Sequence, residues 1–453
     1  MTVSLWFQSC LLPSGWTEHV RLIAVDGLIA RVEAGVPATP YDVRAGVGVP
    51  GLANVHSHAF QRGMAGLAET QGLPDDDFWS WREVMYRFLA RLGPEEVEAV
   101  AAQAFAEMLE GGFTRVGEFH YLHHDPAGAP YADPAELAGR IAAAADQTGM
   151  GLTLLPVFYA HGNFGGAAPK PGQRRFLNDL DGFARLVEAS RAVCVRLPDA
   201  VLGVAPHSLR AATPGELAGV AELAPQGPIH IHAAEQMREV EDCIAWSGQR
   251  PVEWLLDHAA VDQRWCLIHA THLSEREVAG LASSGAVAGL CPITEANLGD
   301  GVFPAEAYLG AGGAIAVGTD SNVLIDAAQE LRGLEYSQRL TCRARNRLAS
   351  PDRTSVGGRL FDAARAGGAR AAGAGAGLIV GAPLDVVSLS PEHPSLVGRQ
   401  GDAWLDGWIF AAGKGAVDAV WRRGRQVVAN GRHVRSAEIA ARYRRALQTV
   451  LGD

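Results

Sequence analysis

The chain has 453 residues, of which 48% are hydrophobic and 20% charged, with a formal net charge of −11 at pH 7. This composition is typical of a globular protein with a large core, and the negative charge argues against binding to nucleic acid or to an anionic membrane surface. The sequence contains no run of 18 apolar residues, so no membrane span is expected. Six cysteines without a CxxC pair indicate reduced thiols and a cytoplasmic location.

The two ends of the chain share one pattern. Residues 1–50 alternate between apolar and polar side chains, with turn signals at "PSG" and "DGLIA", and residues 380–430 do the same. Short strands with tight turns favour antiparallel β-structure. We therefore expect both ends to build one small β-sandwich, followed by an amphipathic helix over Ser436–Leu451.

Between the ends, short apolar runs alternate with helix-like stretches such as Pro94–Glu110. Strands without polar alternation, separated by helices, predict a parallel sheet with both faces covered. Eight such runs predict an α/β fold of the (β/α)8 TIM barrel type; they cover 51–58, 112–119, 151–159, 200–207, 228–235, 264–271, 285–292 and 313–320. The predicted domains are sandwich 1–50, barrel 51–375, sandwich 376–435 and C-terminal helix 436–453.

The first run leads into "VHSHAFQRG" at residues 55–63, which places His56 and His58 one residue apart. Residues i and i+2 of a strand face the same side, so both rings point the same way. Active sites of barrels collect at this end of the strands. Taken alone, the pair fits two interpretations equally well: a metal site, or two buried histidines whose rings satisfy hydrogen bonds in the core.

Three other runs also end in metal-ligand residues, because "HIHAAE", "LIHATH" and "VGTD" contribute His232, His269 and Asp320. Histidines and a carboxylate converging on one barrel mouth suit one divalent metal, Zn²⁺, with Fe²⁺ as the alternative. His230 lies deeper on the same strand, and we interpret it as a core residue. His272 competes with His269, which is favoured because it lies at the strand end.

These motifs resemble the amidohydrolase superfamily: "PGLANVHSH" is similar to its first-strand motif and "GTDSN" to its eighth-strand motif. The resemblance implies a deformed (β/α)8 barrel with a hydrolytic metal. Binuclear members carry a carbamylated lysine at the end of the fourth strand, whereas this chain has only Lys170 and Lys414, neither at that place. A single metal is therefore implied, and its ligands are His56, His58, His232 and Asp320.

The stretch "HAAE" is similar to the deaminase-like branch of this superfamily and implies three catalytic residues, Glu235, His269 and Asp320. The bound metal would lower the pKa of its water to about 7. Glu235 and Asp320 would take the proton, Glu235 would pass it to the leaving nitrogen, and His269 would stabilise the oxygen that develops charge. The predicted reaction adds water to a C=N carbon and releases ammonia.

Polar residues beside the metal motifs are candidates for substrate binding. An arginine pairs with a carboxylate through two parallel hydrogen bonds, so two arginines near one mouth predict a small-molecule dicarboxylate substrate, although either arginine taken alone fits a structural role equally well. The candidates are Gln61, Arg82 in a long first loop, Tyr121, His207 and Arg210.

The stretches "LANVHSHAFQRGMAG", "APHSLRA", "IHIHAAEQ" and "VGTDSN" resemble the N-formimidoyl-L-glutamate deiminase family. The resemblance implies a hydrolase acting on the C–N bond of a linear amidine. Its reaction would convert N-formimidoyl-L-glutamate to N-formyl-L-glutamate and ammonia in histidine degradation.

Two alternatives to this function remain open. The tryptophan-rich "FWSWREV" could stack a flat ring, as in a guanine-, adenosine- or triazine-like deaminase or chlorohydrolase. A non-catalytic scaffold with the same fold is the other alternative. For assembly, we expect a homodimer from the size of the chain.

Overall fold

Strands from both ends of the chain join in one mixed sheet. The computed structural model describes residues 2–70, 78–375 and 377–452, so the ends of the predicted domains at 1, 376 and 453 lie outside the described residues. The sheet order is β17-β16-β15-β14-β4-β1-β2-β3. Its strands are β1 Thr2–Leu12, β2 Gly15–Val25, β3 Leu28–Glu33, β4 Val43–Pro50, β14 Val386–Leu389, β15 Val417–Arg422, β16 Arg425–Ala429 and β17 Arg432–His433.

The two ends meet where β4 pairs with β1 in parallel and with β14 antiparallel. Apolar residues from both ends, among them Phe7, Leu22 and Trp421, are buried together in a core of their own. Burial of this apolar surface is the main force holding the ends together. The small sandwich domain predicted from both ends is confirmed.

The central strands are all parallel and form two arcs, β5-β6-β7-β8 and β10-β11-β12-β13, with β9 paired to β7. Single bridges close the arcs, Ser57 with Asp320 on one side and Val204 with Ile229 on the other, and such sparse closure makes a deformed barrel. The strands are β5 Leu52–Ser57, β6 Phe113–His120, β7 Gly151–Phe158, β8 Val201–Leu202, β9 Ala205–Pro206, β10 Ile229–Ala233, β11 Trp265–His269, β12 Val287–Leu290 and β13 Ala314–Val317.

The eight predicted runs contain these strands, except that β6 extends one residue beyond its run, and the fourth run is split into β8 and β9. Gly203 lies at the split, against the backbone carbonyl of Pro228, where a side chain would not fit. Every residue of β6 and β7 is buried, as expected for strands covered on both faces. The barrel prediction is therefore confirmed.

Helices cover the outside of the barrel. The predicted stretches Pro94–Glu110 and Ser436–Leu451 are helices with those bounds and pack against each other. The helices are α1 Phe78–Leu89, α2 Pro94–Glu110, α3 Glu136–Thr148, α4 Leu180–Cys194, α5 Pro214–Glu222, α6 Met237–Ser247, α7 Pro251–His258, α8 Glu275–Ser284, α9 Pro292–Leu298, α10 Ala305–Gly310, α11 Ala327–Cys342, α12 Val356–Ala371, α13 Ala403–Gly407 and α14 Ser436–Leu451. Among the described residues, no helix is long and apolar enough to cross a membrane.

A buried ion network ties the sandwich to the barrel. Arg422 on β15 lies 2.8 Å from Asp385 and also pairs with Asp199, which precedes β8. Arg115 on β6 reaches the same Asp199 carboxylate at 2.8 Å. The two arginines therefore share one aspartate across the junction, and each balances part of the buried charge.

Candidate active site

Five predicted residues lie together at the carboxyl ends of four strands. His56 lies near the end of β5 and His58 directly follows it, His232 lies on β10, and His269 ends β11. Asp320 follows β13 and is held beside β5, because its N–H donates to the His56 carbonyl at 2.9 Å and its carbonyl accepts from His58 N–H at 2.9 Å. Backbone pairing thus aligns the eighth strand end with the first.

The donor atoms of the four predicted metal ligands converge. Asp320 Oδ1 lies 3.3 Å from His56 Nε2 and 3.2 Å from His58 Nε2. His232 Nε2 lies 3.1 Å from His56 Nε2. His269 is grouped with His56 and His232, with ligand atoms within 4.8 Å of one another. The structure therefore brings together all the residues predicted to surround the metal.

The protonation of these rings suits metal binding. The Nδ1 atoms of His58 and His232 lie 3.0 Å from the carbonyl oxygens of Phe119 and His207, and a ring that donates Nδ1–H keeps Nε2 unprotonated. Burial lowers the pKa of His56 to about 3 and also lowers the pKa values of His58 and His232. The unprotonated Nε2 of His58 faces the Asp320 carboxylate, and that of His232 faces His56 Nε2; such converging donor atoms fit a metal ion.

Strained backbone surrounds the cluster. Ala234, His269, Ala270 and Asp320 have φ angles of 53°, 67°, 47° and 42°, in the left-handed region that non-glycine residues seldom adopt. Such conformations persist only where surrounding contacts enforce them, and they concentrate at functional sites. The strain here turns the chain sharply at three strand ends, where His269 and Asp320 themselves lie.

Glu235 and His269 are two buried titratable residues that lie beside the cluster. His269 Nε2 lies 3.7 Å from Glu235 Oε1 and 3.8 Å from Asp320 Oδ2. Burial raises the pKa of Glu235, while the nearby charges of His269 and Arg210 oppose that rise. Burial would lower the pKa of His269, but the carboxylates of Glu235 and its neighbours raise it above its ordinary value.

The two rival histidines lie apart from the cluster. His230 is buried, and its Nε2 lies 2.7 Å from the Ala371 carbonyl. His272 Nε2 lies 2.8 Å from the Asp300 carbonyl. Both rings are occupied by backbone contacts, in agreement with the choice of His269 over His272.

A cavity opens beside the cluster, and all five predicted substrate-binding residues line it. Gln61 Nε2 donates to Tyr121 Oη at 3.0 Å, and His207 packs against His232 with ring centroids 4.8 Å apart. The lining comprises His58, Gln61, Trp81, Arg82, Met85, Tyr86, Tyr121, Tyr159, Phe176, His207, Arg210, His232, Glu235, His269, Leu298 and Asp320.

The prediction of a long first loop around Arg82 is wrong in part. Residues 71–77 lie outside the described residues, but Arg82 is on α1, a helix that begins at Phe78. The tryptophans have different neighbours: Trp81 lines the cavity, whereas the Trp79 ring lies 4.4 Å from the Arg82 guanidinium. A helix places Arg82 and Met85, which are three residues apart, on the same face toward the cavity.

Comparison with known proteins agrees with this geometry. The sequence model of the amidohydrolase family matches residues 47–427, which include the barrel and its ligands. The chain belongs to the amidohydrolase family. Residues 6–46 of this amidohydrolase match a second model, described as formimidoylglutamate deiminase HutF, N-terminal domain.

Individual relatives resemble this amidohydrolase over nearly its whole length. A formimidoylglutamate deiminase from Pseudomonas aeruginosa is 49% identical, and the match covers 99% of each chain. A crystal structure of an amidohydrolase from Brucella melitensis is 56% identical with a TM-score of 0.96, covering 99% of this chain and 100% of the other. The structure of an adenosine deaminase from Xanthomonas campestris with bound zinc has a TM-score of 0.81 at 23% identity. The match covers 100% of this chain and 99% of the other, and it shows a shared fold.

Sequence reasoning missed the carboxylate partner of His269 in this amidohydrolase. Glu295 Oε1 lies 3.2 Å from His269 Nδ1 and accepts the Cys291 N–H at 2.8 Å. Its signal was a carboxylate one turn after the seventh strand, in "CPITEA". The aromatic side chains of Tyr86, Tyr159 and Phe176 in the cavity were also missed, because they come from three separate segments.

Proposed function

We propose that this amidohydrolase converts N-formimidoyl-L-glutamate to N-formyl-L-glutamate and ammonia, a step of histidine degradation. The observation that carries the proposal is the 49% identity, over 99% of each chain, with a formimidoylglutamate deiminase. The cavity supports it, since Arg82 and Arg210 line the same space as the histidine cluster and Glu235. The reaction is hydrolysis of a C–N bond.

Amidohydrolases bind a divalent metal, and the donor groups around His56 and His58 could hold one. We propose a single Zn²⁺ held by His56, His58, His232 and Asp320, with Fe²⁺ as the alternative that the same donors suit. His56 Nε2 lies 3.1 Å from His232 Nε2 and 3.3 Å from Asp320 Oδ1, so these side chains are close enough together to hold one ion. When bound, such an ion would lower the pKa of a water molecule to about 7, so that the water loses a proton readily and can attack carbon near neutral pH.

Three side chains would take part in the reaction, and one of them, Glu235, would move the proton. Asp320 remains charged, because its contacts with His56 and His58 hold its pKa below the usual range against the effect of burial. Glu235, whose pKa burial raises, can take a proton from the attacking water and deliver it to the formimidoyl nitrogen. His269, kept cationic by its carboxylate neighbours, would donate a hydrogen bond to the oxygen that gains charge.

The bond changes balance without any further reactant. The water oxygen bonds to the formimidoyl carbon, and the C=N electron pair moves to nitrogen, which receives the proton carried by Glu235. The C–N bond then breaks and ammonia leaves, while the hydroxyl on the carbon gives its remaining proton to the Glu235 carboxylate, so that the carbon keeps its oxygen as the formyl carbonyl. Before attack, the cationic amidine can pair with the Glu235 carboxylate, which lies 3.7 Å from His269.

The two substrate carboxylates would be held by arginines with polar support. Arg210 is buried, with its Nη2 3.9 Å from Glu235 and 4.0 Å from Glu239. These neighbours hold the guanidinium in position, where it can donate hydrogen bonds to a substrate carboxylate. Arg82, on α1, lines the same cavity. Gln61, Tyr121 and His207 add hydrogen bonds, and bidentate pairing with arginine selects dicarboxylates over neutral rings.

We also propose a cytoplasmic location and a homodimer. The six cysteines form no disulfide, and all but Cys342 are buried, which suits a reducing cytoplasm. A homodimer follows from the frequency of twofold assemblies among enzymes of this size. Light scattering on the purified protein would measure the assembly directly.

A substrate panel on zinc-loaded protein tests the function. We expect ammonia release from N-formimidoyl-L-glutamate and at least about a hundredfold lower kcat/KM for adenosine, guanine and an aminotriazine, because a site built for charged groups rejects substrates that leave those groups unpaired. Preference for a heterocycle would overturn the proposal in favour of an aromatic deaminase. Turnover of formimidoylglutamate by Arg210→Met at the wild-type rate would contradict the carboxylate assignment.

A further inference from the structure

A second cavity of about 300 Å³ adjoins the proposed substrate pocket. The two cavities share Arg82, Tyr159 and Arg210 as a common wall. The outer cavity is completed by Trp79, Glu83, Gly162, Asn163, Ala167, Ala168, Lys170, Arg238 and Asp242. A ligand in the outer cavity would therefore contact the same two arginines from the solvent side.

The described lining of this outer cavity is cationic. Arginines and a lysine contribute four positive charges, from Arg82, Lys170, Arg210 and Arg238, against two negative charges from Glu83 and Asp242. The chain as a whole carries −11, so the sign of the local charge is reversed here. A concave surface of one sign attracts and concentrates ligands of the opposite sign.

Three of these cations gather around one ring. The guanidinium carbons of Arg82, Arg238 and Arg210 lie 4.4, 5.0 and 5.9 Å from the centroid of Trp79. Cation–π contact with tryptophan offsets part of their mutual repulsion, but the charges still lie within about 10 Å of one another, the screening distance at moderate salt. An anion among them would relieve that repulsion.

Two of the cations are available to such an anion. Arg210 lies beside Glu235 and Glu239, whereas no carboxylate of the described residues forms an ion pair with Lys170 or Arg238. Both side chains are exposed, so a ligand can reach them without rearrangement of the fold. Neither residue lines the inner pocket, so neither takes part in the proposed chemistry.

We propose that the outer cavity is a second anion site, which captures a dicarboxylate through Lys170 and Arg238 and loads it past Arg82 and Arg210 into the inner pocket. The identity of the dicarboxylate rests on the proposed function, but the charge of the site does not. The sequence excludes Lys170 as a metal-bridging residue. In the outer cavity its ammonium group would instead bind a substrate carboxylate.

A labelling experiment tests the site without turnover. The chain has only two lysines, Lys170 and Lys414, and both are exposed, so Lys414 is an internal control. Zinc-loaded protein is acylated with an amine-reactive ester, with and without N-formyl-L-glutamate or glutarate, and both lysines are quantified by mass spectrometry. We expect either dicarboxylate to slow acylation of Lys170 at least about threefold and to leave Lys414 unchanged.

The variant Arg238→Gln separates the outer site from the inner pocket. It should abolish protection of Lys170, because the second cation of the site is lost while the inner pocket stays intact. Protection of neither lysine, equal protection of both, or protection of Lys170 that persists in Arg238→Gln would overturn the site. If wild-type protein does not hydrolyse formimidoylglutamate, the proposed function fails, and the labelling result still decides the outer site.

Kinetics tests the loading role. In the double variant Lys170→Gln/Arg238→Gln we expect unchanged kcat and a kcat/KM lower by about tenfold at low ionic strength, with the difference vanishing near 0.3 M salt as screening grows. The matched control is Arg345→Gln, an exposed arginine outside both cavities. A kcat/KM within twofold of that control at low salt would overturn the loading role.

Discussion

In the proposed reaction, Glu235 is the side chain on which proton transfer depends. It is buried, lies 3.7 Å from His269 and 3.9 Å from Arg210, and its pKa is raised by burial. A carboxyl group that titrates closer to neutral pH can both accept and release a proton during one turnover. The geometry thus gives Glu235 a role that the neighbouring Glu239, which accepts the Glu235 N–H at 3.1 Å, does not share.

Replacement of Glu235 by glutamine should lower kcat by about 10²- to 10⁴-fold, because the amide neither takes nor delivers the proton. Zinc content measured by elemental analysis should stay at the wild-type level, since Glu235 is not among the proposed ligands. Glu241→Gln on the exposed side of α6 is the control. Full activity of Glu235→Gln would eliminate it as the proton carrier.

Glu295 orients His269 from the side opposite the cavity, with Oε1 3.2 Å from Nδ1. Glu295→Gln should lower kcat by about ten- to a hundredfold, the usual loss when an outer hydrogen-bond partner is removed from a metal site. Loss of the negative charge also lowers the pKa of His269, so the alkaline limb of the kcat profile should move to lower pH. The exposed Glu275→Gln should shift neither quantity, and an unmoved alkaline limb in Glu295→Gln would contradict the role.

At the level of elements, helix α12 closes the barrel by lying directly on β13. Gly367 faces the Ile315 carbonyl so closely that a Cβ would overlap it, and Gly368 lies 3.3 Å, measured from the position of an added Cβ, from Ala53 Cβ on β5. The helix thus touches the last and first strands together, and this contact holds His56 and Asp320 in register.

Alanine at Gly367 should destabilise the protein by about 1–3 kcal/mol, because the added methyl group forces α12 away from β13. In a helix with free space the same change is neutral or stabilising by up to about 1 kcal/mol. Gly139 on α3 provides that control, since nothing lies within 4 Å of an added Cβ there. Thermal unfolding of both variants measures the difference in stability. Equal unfolding midpoints would show that α12 can shift away from β13 without destabilising the protein.

At the level of the whole molecule, Arg422 joins the sandwich to the barrel. Its side chain is 4% exposed and holds Asp385 and Asp199 together. Removal of Arg422 leaves Asp385 and part of the Asp199 charge without compensation, and because these carboxylates are 21% and 18% exposed, we expect a loss of stability below the roughly 3–5 kcal/mol of a fully buried pair. The network lies away from the metal cluster, so it stabilises the fold without touching the chemistry.

Arg422→Met should therefore lower the unfolding midpoint clearly, while kcat of the folded fraction stays near wild type. Arg425→Met, an exposed arginine on the adjacent strand β16, should change neither value. Denaturant unfolding followed by fluorescence gives the stability, and activity normalised to folded protein gives kcat. A stability equal to that of Arg425→Met would show that the network contributes nothing.

The amino-acid sequence by itself determined the strands, several helices and the chemistry at the strand ends. Apolar runs between helical stretches predicted the barrel because burial on both faces leaves no polar alternation, and Pro94–Glu110 followed from helical periodicity. The positions of His56, His58 and Asp320 were predictable because parallel strands direct their carboxyl ends to one mouth. These are properties of local sequence.

Tertiary structure decided what distant segments contribute together. Glu295 reaches His269 only because β11 and β12 are neighbours, and Arg238, Arg82 and Arg210 share one tryptophan although they lie on separate segments. The sequence pattern also did not predict the helix α1 that carries Arg82. Contacts between segments depend on packing in three dimensions, and no periodicity along a single segment records which partner it will meet.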